Sequence, residues 1–116
     1  MSELWRKGAV ELAKLISDRE VSSREVVQAH LDRVEAVNPH LNAIVRLLPG
    51  EALAAADAAD RAVADGSALG PLHGVPCTVK ENIDVAGTRP HRPSRPWPRP
   101  SSRSTRRRWS GCARPG

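Results

Sequence analysis

Aromatic residues are scarce. Three Trp stand among 116 residues, with no Phe and no Tyr. A core must therefore come from Leu, Val, Ile and Ala instead of the large rings that small domains usually bury. The two cysteines, Cys77 and Cys112, fit neither a metal-site spacing nor a disulfide framework, which excludes a small stapled scaffold. The apolar runs are too short for a transmembrane helix. The start, Met1-Ser2-Glu3-Leu4-Trp5-Arg6, has no long apolar stretch of the kind that opens a secretory leader. A reducing cytoplasm is the expected compartment, and no membrane partner is expected.

Acidic residues stop at Asp84. Residues 1–88 hold 9 Lys and Arg and all 13 Asp and Glu, a net charge of −4. Residues 89–116 hold nine Arg and no acid, so their +9 turns the whole chain to +5. The sequence pI near 10.2 thus belongs to the tail. That tail has six Pro and five Ser and contains no Leu, Ile, Val, Asp, Glu, Lys or Asn. It shows no apolar period, so the expectation is disorder. Pro90-His91-Arg92-Pro93 and Pro93-Ser94-Arg95-Pro96 fit a Pro-x-x-Pro pattern that SH3-type partners bind. Arg106-Arg107-Arg108 with Trp97 and Trp109 suits single-stranded nucleic acid. Composition alone produces both patterns easily. Non-specific binding of polyanions is the broader expectation.

What remains is patterned. Ala9 to Ile16 has helical spacing, with Leu12, Leu15 and Ile16 on one side. Ser22-Ser23-Arg24-Glu25 reads as a capping box, with Ser22 as N-cap and Glu25 three residues on. The helix it opens carries Val26, Val27, Leu31, Val34 and Val37 on one face, and Asn38-Pro39 is expected to end it. These two helices read as a hairpin. Ala43 to Leu48 is a β-rich run broken by Pro49-Gly50. An alanine-rich helix is expected from Glu51 to Asp65, stopped at Gly66. A second strand is expected from Val75 to Lys80. Strand, helix and strand predict a right-handed βαβ crossover. The fold class read from the chain is α/β: an N-terminal helical hairpin, a βαβ unit of a larger sheet, and a disordered tail. The domain division is 1–88 and 89–116.

The candidate chemistry lies at the end of that second strand. Lys80 follows Val75, Thr78 and Val79, where a desolvated amine can act as a base. By spacing alone, an exposed lysine at a strand end is the commoner outcome. Cys77, three residues earlier, faces the other way and reads as a small buried apolar residue. Asp57 and Asp60 stand at i,i+3. A solvated helix face suits them better than a metal or acid pair. His30, His40, His73 and His91 show no paired metal spacing.

The segment Gly70-Pro71-Leu72-His73-Gly74-Val75-Pro76-Cys77-Thr78-Val79-Lys80-Glu81-Asn82 resembles the amidase signature family, serine hydrolases that cleave carboxamides. The likeness covers about residues 5–88, including Asn38-Pro39-His40-Leu41-Asn42-Ala43 and the helix with Ala56, Asp57 and Asp60. It implies a mixed sheet between helices, a linear amide as substrate, and no metal or organic cofactor. It also implies that Lys80 takes a proton from a bridging serine in a cis peptide, which activates the nucleophilic serine. Glutamyl-tRNA amidotransferase subunits share the family, so amide transfer is a second implied role.

Two departures stand out. Glu81 occupies a position where the family usually has Asp. The glycine- and serine-rich segment that supplies both serines has no counterpart here, because Ser94, Ser101, Ser102, Ser104 and Ser110 lie among Arg and Pro. The sharp change at Thr88 or Arg89 reads as an out-of-frame continuation of a GC-rich gene. On that reading the chain is a truncated amidase without activity of its own. The competing reading is a basic-tailed binding protein that recruits nucleic acid or an SH3-type partner.

Overall fold

The computed structural model describes residues 3–86 and 88. They fall into two compact units, divided in the chain between Cys77 and Thr78. The first unit is helical. A 3-10 turn, Glu3–Arg6, leads to α1 (Ala9–Ser17), α2 (Ser23–Leu41) and α3 (Pro49–Ala64). The basic tail, residues 89–116, lies outside the described residues.

Local chemistry accounts for each helix. In α1 the i,i+4 pair Leu12 and Ile16 is buried, as expected for two residues on one helical face. After α1 the chain reverses through Arg19, held at φ 60°. The Arg19 guanidinium donates to the Val63 carbonyl at 2.8 Å, which fastens this turn to the end of α3. At the start of α2 the capping box forms as expected. The Ser22 hydroxyl accepts from the Glu25 N–H at 3.1 Å, and the Glu25 carboxylate accepts from the Ser22 N–H at 2.8 Å. Pro49 opens α3 at its first helical turn, where a missing N–H costs nothing. Gly66, just past α3, has φ 69°.

The core is small. Leu4, Leu12, Ile16 and Val26 form its centre, with Val21, Ala29, Val63 and Val75 packed against it. Val27 on α2 and Ala56 on α3 are also buried. Packing is densest between α2 and α3, and α2 also meets the first turn. Trp5 contributes there: the Arg33 guanidinium from α2 lies 4.2 Å from its ring centroid.

Three expectations need correction. First, α2 does not end at Asn38-Pro39 but runs to Leu41, with Asn42 as a left-handed cap at φ 49°. Pro39 sits in the last turn, so its missing N–H removes one hydrogen bond without breaking the helix. Second, residues 43–48 form no strand. The Asn38 side chain accepts from the Ile44 N–H and donates to the Ile44 carbonyl, both at 2.9 Å. Those are the groups that a ladder would have used. Third, residues 75–80 are not a strand. Val75 N–H turns back to the Leu72 carbonyl, and Pro76 has no N–H to offer. The α/β class with a βαβ unit is therefore overturned. Apart from a one-residue bridge at Val85, the described residues are helices, turns and loops.

Candidate functional site

The Gly70–Asn82 block begins as a tight loop in the first unit. His73 N–H reaches the Gly70 carbonyl at 3.2 Å and Val75 N–H reaches Leu72 at 3.3 Å. Between them Gly74 adopts φ 75°. A Cβ placed there would lie 2.9 Å from the Ser23 hydroxyl oxygen and 3.3 Å from Ile16 Cδ1. Both the backbone conformation and the close approach therefore call for glycine.

That close approach is a fastening point. Ser23, the first residue of α2, is 1% exposed, and its hydroxyl donates to the Gly74 carbonyl at 2.6 Å. Its N–H donates to Asp60 Oδ1 at 2.6 Å, while Arg24 N–H donates to Oδ2 at 3.1 Å. A carboxylate from α3 thus satisfies two of the orphan donors at the N-terminus of α2, where negative charge is favoured. Arg24 also pairs with Asp57 at 2.6 Å. His73 Nε2 lies 2.9 Å from the Ala59 carbonyl. A carbonyl can only accept, so this ring nitrogen carries the proton. On the other side of Ser23, hydrogen bonds from the Ser22 backbone and hydroxyl hold the Glu25 carboxyl below its ordinary value of 4.5.

The loop leaves this anchor through Pro76, and Cys77 is exposed. The expected burial of Cys77 is corrected: without a strand there is no inner face to receive it. Asp57 and Asp60 are not a simple solvated face either, since both bind the start of α2. The sequence did not single out Ser23, Asp60 or His73 as anchors. The only available signal was a second serine behind the capping serine and a helical pair of aspartates.

The second unit, described by itself, carries Lys80. Its side chain is exposed, and its carbonyl accepts from the Ile83 N–H at 2.9 Å in a turn. Thr88 closes a further turn, its N–H and hydroxyl both donating to the Val85 carbonyl. Among the described residues no cluster of His, Cys, Asp and Glu is placed to hold a metal ion. No helix among them is long and apolar enough to cross a membrane.

A helical unit fastened to a Gly-Pro-Leu-His-Gly-Val-Pro loop has clear relatives among known proteins. The amidase family model matches residues 25–96, more than half of the chain, and the chain belongs to that family. An indoleacetamide hydrolase from Bradyrhizobium diazoefficiens is 54% identical over 84 residues, 72% of this chain and 16% of that protein. A glutamyl-tRNA(Gln) amidotransferase subunit from Acidothermus cellulolyticus is 48% identical over 87 residues, 75% of this chain and 17% of the relative. The corresponding subunit from Alkalilimnicola ehrlichii is 46% identical over 86 residues, 74% and 18% of the two chains. The chain thus spans less than a fifth of the length of these relatives. No solved structure matches.

Proposed function

We propose that this polypeptide is the lysine-bearing segment of an amidase that hydrolyses a linear carboxamide to a carboxylate and ammonia or an amine. One observation carries the reading: the block from Gly70 to Asn82, ending in Lys80-Glu81-Asn82, lies inside the family match. Lys80 is the general base. In its neutral form its amine accepts a proton from a bridging serine, which takes one from the nucleophilic serine. The alkoxide adds to the amide carbon, the C–N bond breaks as the leaving nitrogen is protonated, and water hydrolyses the acyl-enzyme. No metal or organic cofactor enters this scheme, and the cytoplasm suits it.

No glycine- and serine-rich stretch that would supply the two serines stands in residues 1–116, and we read residues 89–116 as out of frame. A positioned base supplies roughly 10²–10⁴-fold, and amide hydrolysis also needs a nucleophile and oxyanion donors. Offered aliphatic or aromatic carboxamides, the 116-residue chain should therefore release no ammonia above a buffer blank. DNA after the Thr88 codon should show a glycine- and serine-rich continuation in another frame. In the frame-restored protein, Lys80→Ala should lower kcat by at least about 100-fold with the fold intact. Wild-type turnover in that variant would remove Lys80 from the mechanism.

A second reading within the family is a subunit that supplies ammonia for amide transfer, favoured by the relatives at 48% and 46% identity. Frame-restored protein offered an arylacetamide or glutamine separates the two: hydrolysis of glutamine alone favours the transfer role.

A further inference from the structure

We propose that Ser23 is a positioning residue for the amidase reaction, acting through Gly74 on the segment that bears Lys80. Ser23 opens α2 and is 1% exposed. Capping does not need its hydroxyl, because the Ser22–Glu25 box is complete. A hydroxyl that served only its own helix would bond to nearby backbone in the same turn. An alanine would fill the position with better helix propensity and no polar group to satisfy. The Ser23 hydroxyl instead donates at 2.6 Å to the Gly74 carbonyl, 51 residues on.

Three consecutive residues are fixed at this point, each by a different group. His73 is tied to the Ala59 carbonyl on α3, Gly74 is tied to Ser23 on α2, and Val75 packs against the core. Gly74 leaves its partner little slack, since a Cβ there would stand 2.9 Å from the hydroxyl oxygen. Ser23 is itself held, its N–H donating to Asp60 at 2.6 Å. Pro76 follows with its restricted φ, and Lys80 comes six residues after Gly74. A catalytic group works only when held within about 0.5 Å of its productive place, and that precision depends on the residues behind it. A misplacement of about 1 Å costs a reaction on the order of 100-fold. The fastening at residues 73–75 sets the point from which the lysine-bearing segment departs, and Ser23 supplies its buried hydrogen bond.

This role rests on Lys80 being the base, so two measurements are made. In the 116-residue chain, amide exchange is followed at His73 and Val75, whose N–H groups close the loop. Ser23→Ala should speed it by about two- to tenfold, the worth of one hydrogen bond. Glu25→Ala breaks the capping box at the same end of α2 but spares the Ser23 hydroxyl, and it should leave both amides as they are. In the frame-restored protein, Ser23→Ala should lower kcat per folded molecule at least about tenfold, with KM within about twofold of wild type. Glu25→Ala should keep both constants, as any serine that merely stabilised the fold would also do when replaced. Where Ser23→Ala does not fold, Ser23→Cys, a weaker donor of similar size, is read in its place. Unchanged exchange in Ser23→Ala overturns the proposal, and so does an equal loss of kcat in Glu25→Ala. Full turnover in Ser23→Ala beside an inactive Lys80→Ala overturns it and leaves the base standing. Full turnover in Lys80→Ala, or a frame-restored protein without hydrolase activity, removes the base and the positioning role together.

Discussion

Gly66 and Gly74 both have positive φ, at 69° and 75°, but they differ in surroundings. A Cβ at Gly66 meets nothing within 4 Å, whereas one at Gly74 crowds Ser23 and Ile16. Gly66→Ala should cost only the left-handed backbone penalty, about 1–2 kcal/mol. Gly74→Ala should cost that plus a displacement of α2, roughly 1–3 kcal/mol more. Urea midpoints for the two variants measure the difference, and equal midpoints would show that Ser23 yields freely. Of these constraints the sequence disclosed only the glycine itself, inside a recognisable block. Its neighbour in space, Ser23, lies 51 residues away, and no local pattern reports such a pairing.

At the scale of elements, the start of α2 is held twice. Its own capping box is local and was legible in Ser22 and Glu25. The clasp by Asp60 comes from another helix and was not. Asp60→Ala should therefore cost about 1–2 kcal/mol, while removing the exposed Arg24–Asp57 pair should cost at most about 1 kcal/mol. The capping box adds a pH dependence. Glu25 has a lowered folded pKa, so its contribution is fully present above the ordinary 4.5 and is lost as pH falls through the lowered value. Denaturation midpoints of wild type and Glu25→Gln should differ at neutral pH and converge below that range. A constant gap would remove ionisation from the argument. Helices were legible because their period, caps and alanine content are local. The strands were misread because β propensity in residues 43–48 and 75–80 says nothing about what their backbone groups meet. Asn38 claims those of Ile44, and Pro76 interrupts the other run.

For the whole molecule, six buried apolar residues among those described make a thin core for a chain of this size. A broad thermal transition is expected, without the sharp cooperativity of a complete domain. Dispersed amide signals over residues 9–84 with a steep melt would contradict this. Charge has its own consequence at this scale. Nine arginines in residues 89–116 should bind polyanions with an affinity that falls steeply with salt. A peptide with the same residues in scrambled order should bind equally. Loss of affinity on scrambling would favour the binding-protein reading of the tail.

The clasp on α2 also has a schedule during synthesis. The amides of Ser23 and Arg24 wait for Asp60, and the Ser23 hydroxyl waits for Gly74, 37 and 51 residues downstream. At ribosomal speeds of about 5–20 residues per second, the second partner arrives roughly 3–10 s after Ser23 is made. A helix forms in about a microsecond. For most of its early life α2 therefore has only the Ser22–Glu25 box to keep its first turn wound. Slowing translation between Asp60 and Gly74 lengthens that exposed interval, so protease sensitivity of nascent chains should fall in two steps as these two residues emerge from the ribosome.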